Sequence, residues 1–181
     1  MDTNGTMTIL TPEILAYVGV SAATEFACDP VEQGAVRRFA QAIMDDDPDY
    51  GPDAPSTTPW GGPIAPPLFP NHATRRPLGT RDVLQDRAHD PNFDGSGDRP
   101  GGLPLIAPLK SFAVLNGGAE FELYRYARQG ERVQVTQRYA DITEKTSSKG
   151  SMILVTVEVE IRTANDELLL RARRTVIRRP A

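Results

Sequence analysis

One cysteine, two histidines and one tryptophan among 181 residues leave few starting points for several kinds of chemistry. A single thiol, Cys28, excludes an intramolecular disulfide and a cysteine-based zinc site. Its neighbours Phe26 and Ala27 make it read as a buried structural thiol. His72 and His89 stand apart from any paired acidic ligand pattern, so no metal is expected and no cofactor is called for. No apolar run approaches the length that spans a bilayer. The opening Met1-Asp2-Thr3-Asn4 lacks the basic and apolar regions of a secretory signal, and a cytoplasmic protein is expected. Positive charge is also short: 20 Lys and Arg face 24 Asp and Glu, a net charge of -4, which gives no electrostatic reason for a nucleic-acid partner.

What is present is ordinary for a globular chain, with 39% hydrophobic and 24% charged residues. The length suits one domain over residues 1–181, with a sizeable core. Thr11 and Pro12 open a first helix whose stripe is Ile14, Leu15 and Val18, and Gly19 stops it. Residues 22–28 read as a strand. Asp29, Pro30 and Glu32 have the spacing of a capped helix start, and Val31, Ala35, Val36, Phe39, Ala40, Ile43 and Met44 recur at helical spacing behind it. From about 45 to 102 the texture changes to a Pro-, Gly- and Asp-rich variable segment with little periodicity. A stretch of that length inside a compact domain is usually functional or covers a surface. Short helical turns are expected over 71–76 and 80–87.

The C-terminal half alternates. Residues 119–126 put Phe121 and Leu123 on one side and Glu120, Glu122 and Tyr124 on the other. Turns at 128–131, 147–150 and 165–167 separate this strand from strands over 132–143, 151–163 and 168–179. Ile153, Val155, Val157, Val159 and Ile161 share one face, opposite Glu158, Glu160 and Arg162. Three consecutive hairpins with one apolar face predict an antiparallel meander, with the helix over 31–44 covering that face. The fold class is α+β in two layers. Gly117-Gly118 before the first of these strands suits a bulge or a close chain approach. The closing arginines (Arg171, Arg173, Arg174, Arg178 and Arg179) read either as a solvated strand face or as a surface for a phosphate-bearing ligand.

Several segments, taken in order, resemble one family. They are the acidic 45–50 loop, Gly61-Gly62-Pro63-Ile64-Ala65-Pro66-Pro67-Leu68-Phe69-Pro70, Gly117-Gly118-Ala119-Glu120-Phe121-Glu122, Gln129-Gly130-Glu131-Arg132-Val133 and Asn165-Asp166-Glu167-Leu168. Their order and spacing, over roughly residues 12–179, are similar to the MaoC-like hydratases and dehydratases. The likeness is strongest to the N-terminal-type, FAS1-like dehydratase domain. The resemblance implies a hot-dog fold, a sheet wrapped around a central helix. It also implies an acyl-CoA or acyl-carrier thioester as ligand, to which water is added or from which it is removed. An Asp and a His do the acid–base work in such enzymes, and a backbone N–H polarises the thioester carbonyl.

Laid on this chain, the family pattern Asp-x-Asn-Pro-x-His falls on residues 45–50, so Asp45 is retained and Tyr50 stands for the histidine. The pattern Ile-Ala-His-Gly-Met falls on residues 64–68, so Pro67 stands for the oxyanion glycine and has no N–H to donate. Such losses in the resembling proteins go with pairing to a second hot-dog that keeps the dyad. The chain is therefore expected to be a subunit of a heteromeric (R)-type 2-enoyl-CoA hydratase or 3-hydroxyacyl-thioester dehydratase. It would bind the acyl part while a MaoC-like partner does the chemistry. Two alternatives stay open: a self-sufficient homodimer using His72 and Asp45, with Tyr50 as a further candidate, and a non-catalytic acyl-thioester-binding hot-dog. Trp60, Ile64, Leu68 and Phe69 are the candidates to line the acyl pocket, and Trp60 and Phe69 read equally well as pins that hold the long segment to the core.

Overall fold

The computed structural model describes residues 8–74, 77–81, 83–91, 102–147 and 150–180. Helix α1, Pro12–Leu15, is a single turn capped by Thr11, whose Oγ1 accepts the Ile14 N–H at 3.3 Å. Ile14 is buried, but Leu15 and Val18 face out, so the expected apolar stripe reduces to one residue. A short strand β1, Glu25–Phe26, follows and is much shorter than the strand expected over 22–28. Cys28 is only half-buried, and its thiol donates to Asp29 Oδ2 at 3.2 Å, which corrects the buried reading. That bond to an anion, with lesser help from burial, pushes the thiol pKa up.

Helix α2, Gln33–Ile43, starts later than its cap signal implied. Val31 is fully buried and exchanges backbone hydrogen bonds with the 128–131 turn: its N–H reaches Glu131 O at 2.8 Å, and its carbonyl accepts from Gly130 at 2.9 Å. A tertiary pairing thus takes the residue that the capping pattern would have placed in the first turn. The helix ends at Met44, which is left-handed (φ 57°) and 91% exposed. Val36 and Ala40 are buried and Phe39 is half-buried, while Ile43 and Met44 face outward.

Beyond α2 the 45–102 segment is compact where it is described. It contains a 3-10 turn at Pro48–Tyr50, helix α3 at Phe69–Ala73 and helix α4 at Val83–Arg87. The turns expected at 71–76 and 80–87 are therefore present with different bounds, and residues 75, 76 and 82 lie outside the described residues. A second 3-10 turn, Ala107–Leu109, leads into the strands.

Strands β2 (Ala113–Leu123), β3 (Val133–Ser147), β4 (Gly150–Thr163) and β5 (Leu168–Arg179) join β1 in one antiparallel sheet of order β1-β3-β4-β5-β2. The hairpins β3–β4 and β4–β5 are as expected, although residues 148 and 149 of the first turn lie outside the described residues. The third expected hairpin is absent. Strand β2 begins earlier than anticipated and pairs with β5 at the far edge, not with β3. Its exit is tied there: Arg125 donates to Glu167 beside the β4–β5 turn at 2.8 Å and to Glu131 at 2.9 Å. Residues 127–129 are meanwhile bonded to residues 63–65, so they do not close a tight hairpin.

Alternation does the rest. Ile153, Val155, Val157, Val159 and Ile161 join Val36, Phe69, Tyr139 and Ile142 in one buried cluster. The other face is a lattice of charge. Glu158, its side chain 5% exposed, lies between Arg138 (2.7 Å) and Arg173 (3.0 Å), and Glu160 pairs with Arg162 and Arg171. Arg171 and Arg173 are thus matched by carboxylates of the sheet itself. Arg174 and Arg178 occupy the opposite face, in register with Val157 and Ile153.

Candidate functional site

The Asp-rich loop after α2 is built by two local devices. Met44 in the left-handed region turns the chain at the helix end, with the Asp45 N–H returning to Ala40 O at 3.0 Å. Asp47 then caps the 3-10 turn by accepting the Asp49 N–H at 2.9 Å, and Pro48 sets the first position of that turn. The turn directs the Tyr50 side chain back toward the helix end. Its hydroxyl donates to Asp45 Oδ2 at 3.0 Å, so the two residues singled out from the sequence are in direct contact.

Both members of the pair are half-buried. Burial first, and the hydrogen bond to the Asp45 carboxylate second, push the Tyr50 phenol well above its ordinary value. At neutral pH the phenol is protonated, and its one hydrogen is directed at Asp45. Tyr50 is therefore a hydrogen-bond donor to the carboxylate. The pair borders a groove of about 520 Å³ lined by Arg37, Ala40 and Met44 of α2 and by Asp45, Tyr50 and Pro52 of the loop. Its walls mix aliphatic surface with polar groups on both sides, Gln33, Arg37 and Gln41 on the helix and Asp45–Asp47 on the loop.

The Gly61–Pro70 segment lies inside the protein at several points. Ile64, Ala65 and Phe69 are buried, with Phe69 only 1% exposed. Ile64 donates its N–H to Asp49 O at 3.0 Å, which places the two family-like segments side by side. Pro67 precedes α3, and the Phe69 N–H is bonded to Pro66 O at 2.9 Å. Leu68 is exposed, as is Gly61 at the start of the segment. Trp60 serves the loop: its indole N–H donates to Asp49 Oδ2 at 3.1 Å, and its ring meets Tyr126 edge-on at 4.7 Å. None of the four residues named for the acyl pocket lines this groove: Ile64 and Phe69 are buried in the core, Leu68 is exposed, and Trp60 pins the loop that forms one wall.

His72 sits at the end of α3, its ring 5.6 Å from Phe39 and 5.9 Å from Phe69. The structure thus gathers Asp45 and Tyr50 at one place and His72 at another, against a different side of α2. His89 is exposed in a turn. Sequence reasoning missed Gln129, whose amide Nε2 donates to Tyr50 O at 2.9 Å and to Ile64 O at 3.3 Å. Only its place in a turn was visible beforehand.

The edge strand β2 is the other conspicuous surface. All of its residues are exposed, and Val114, Leu115, Phe121 and Leu123 are between 40% and 50% accessible. A long edge with apolar side chains invites pairing with another chain. At its centre the register slips between Asn116 and Ala119, and Gly118 has φ +103°, so the glycine pair does form a bulge.

Comparison with solved structures places this architecture. The ChsH1-ChsH2 complex from Mycobacterium tuberculosis superposes at a TM-score of 0.69 with 22% identity, covering 93% of this chain and 90% of that one. A MaoC-like dehydratase from Rhodospirillum rubrum gives 0.57 and 22%, covering 91% and 94%. The HadBC (3R-hydroxyacyl-ACP dehydratase) complex from Mycobacterium tuberculosis gives 0.53 and 15%, covering 89% and 98%. These likenesses establish the hot-dog fold that the sequence motifs implied. No curated protein matches the chain in sequence. Residues 16–172 match the family described as "FAS1-like, dehydratase domain region". With nearly its whole length matched, the chain belongs to the FAS1-like dehydratase domain family.

Proposed function

We propose that this chain is the acyl-binding subunit of a heteromeric (R)-type 2-enoyl-CoA hydratase or 3-hydroxyacyl-thioester dehydratase, and that a second, MaoC-like hot-dog chain supplies the Asp–His dyad. The observation that carries the reading is the Tyr50–Asp45 hydrogen bond of 3.0 Å. Hydration needs a group that takes a proton from water and later returns it. A phenol bound to a carboxylate and held protonated does not take that proton. Pro67 adds a second loss, since its nitrogen has no hydrogen for the thioester carbonyl. What remains is a groove in which aliphatic surface from Ala40, Met44 and Pro52 adjoins the Asp45–Tyr50 pair, room for an acyl chain with no base to act on it.

The exposed β2 edge supports the partner. Pairing there would extend the sheet and cover Val114, Leu115, Phe121 and Leu123. Two of the similar structures are complexes of differently named components. A catalytic partner is chemically more sensible than a second copy, because two copies would combine two sites lacking both base and carbonyl donor. The site of action proposed is the cytoplasm; among the described residues no helix is long and apolar enough to cross a membrane.

The test is reconstitution. The chain is purified alone and together with a hot-dog subunit carrying Asp-x-Asn-Pro-x-His, and hydration of a 2-enoyl-CoA is followed by loss of its ultraviolet absorbance. Turnover should require the pair. Strong turnover by the chain alone, abolished separately by Asp45→Ala and His72→Ala, would establish the self-sufficient enzyme instead. Binding without turnover in every combination would leave a carrier or sensor of acyl thioesters.

A further inference from the structure

The groove wall that carries Tyr50 is short of main-chain support. Within the 48–51 turn the backbone bonds are local, from Tyr50 N–H to Asp47 O at 3.1 Å and from Gly51 N–H to Pro48 O at 3.0 Å. Proline follows at position 52 and has no N–H. The wall is joined to the protein body by the Ile64 N–H on Asp49 O, by the Trp60 indole on Asp49, by the Tyr50 hydroxyl on Asp45 and by Gln129.

Gln129 differs from the others in what it connects. Its backbone is already fixed to the Gly61–Pro70 segment: its N–H donates to Pro63 O at 3.0 Å, Ala65 N–H donates to Ala127 O at 2.8 Å, and Ile64 bridges Arg128. From that base the half-buried amide nitrogen donates to the carbonyls of Tyr50 and Ile64 at once. An amide has two hydrogens on nitrogen, and here both have acceptors. One side chain on the turn between β2 and β3 therefore fixes the spacing between the Tyr50 wall and the segment that leads into α3.

We propose that Gln129 is a positioning residue for ligand binding: its two donated bonds hold the Tyr50 wall in place and so set the opening of the groove between that wall and α2. This rests on the reading that the groove receives the acyl part of a thioester. The chemistry dictates which replacements succeed. Glutamate has the same shape but turns a carboxylate, an acceptor, toward two carbonyl oxygens. Alanine removes the link. Lysine keeps the reach and presents donors only, so it satisfies both carbonyls.

The test uses the full chain with Gln129→Glu, Gln129→Ala and Gln129→Lys. Trp60 is the single tryptophan and its indole donates to Asp49 of the wall, so its emission reports the seating of the wall without any ligand. Gln129→Glu should shift that emission to the red and raise its quenching by acrylamide, with the far-ultraviolet circular dichroism at 25 °C unchanged. Gln129→Lys should stay near the parent. In titration calorimetry with octanoyl-CoA, Gln129→Glu should bind about ten-fold more weakly, the equivalent of one lost hydrogen bond with its unmet partner, and Gln129→Lys should recover most of that loss. Parental Trp60 emission and parental affinity in Gln129→Glu would overturn the proposal, as would a lysine variant as impaired as the glutamate one. If the parent chain binds no octanoyl-CoA, the acyl-binding reading fails, and the Trp60 comparison still decides whether Gln129 seats the wall.

Discussion

Replacing Glu158 by Gln tests the electrostatics of the sheet, since the carboxylate is the buried centre of a cross-strand triad. Its side chain is 5% exposed, whereas those of Arg138 and Arg173 are 49% and 48% exposed. Burial alone would raise its pKa, but the hydrogen bonds and charges of the two guanidinium groups more than offset that and hold it below the ordinary glutamate value of 4.5. Glutamine keeps the volume and one acceptor oxygen, and loses the charge. Hydrogen bonds to charged groups contribute about 1.5–3 kcal/mol. The arginines, half in water, recover part of the loss by hydration, which leaves a cost of about 1–2 kcal/mol at pH 7. For a chain of this length that lowers the thermal midpoint by about 2–8 °C.

The pH dependence gives the sharper check. A carboxyl whose folded pKa is depressed stabilises the fold above its unfolded value, and that contribution is lost as pH falls through the folded value. The gap between parent and Glu158→Gln should therefore be full above about pH 5 and shrink as the pH is lowered further, because the parent then protonates the same site. Thermal unfolding followed by circular dichroism across pH 3–8 measures it. An unchanged midpoint at pH 7, or a gap of the same size at both ends of the range, would refute the reasoning.

Two further substitutions separate geometry from space in the β2 bulge. A Cβ at Gly117 would lie 2.8 Å from Thr175 Cγ2 and 2.9 Å from the Thr175 carbonyl oxygen, so Gly117→Ala should loosen β2 from β5 and cost about 1–3 kcal/mol in urea denaturation. A Cβ at Gly118 meets open space, and Gly118→Ala should cost about 1–2 kcal/mol through its backbone conformation alone. Thr175→Ala should relieve the first only partly, because the carbonyl oxygen remains. Alkaline titration by ultraviolet difference spectroscopy should show one phenol in Asp45→Asn moving down from its parental position while staying above the ordinary tyrosine value, since burial of Tyr50 persists when the anion is removed.

Strands β4 and β5 were legible through their alternation and fall at their expected bounds to within a residue, whereas β1 and the start of β2 do not. Pairing was not legible to the same degree. A turn signal between two alternating stretches predicts a hairpin, yet β2 and β3 lie at separate positions in the sheet order. What redirects the chain is Arg125, bonded to both Glu131 and Glu167, together with a turn whose backbone is committed to residues 63–65. The bond to Glu167 and the pairing with residues 63–65 span tens of residues and leave no local mark. Helix α2 shows the same limit at smaller scale, since an ideal capping pattern yields to a buried Val31 that pairs with residues 130 and 131.

The site was legible where chemistry depends on residue type and hidden where it depends on distance. Proline at 67 has no backbone N–H and tyrosine at 50 no imidazole in any conformation, which needs no coordinates to see. That Tyr50 turns toward Asp45 and becomes its donor follows only from the Met44 reversal and the Asp47 cap acting in sequence. The two devices make one point about function. A histidine at position 50 would accept the water's proton, whereas the tyrosine there completes a hydrogen bond that neutralises no charge and releases no proton. On the proposed reading the loop holds a polar pair in place without serving as an acid–base couple. Such retention of shape without reactivity fits a surface that has to receive a ligand correctly so that groups supplied from elsewhere can act on it.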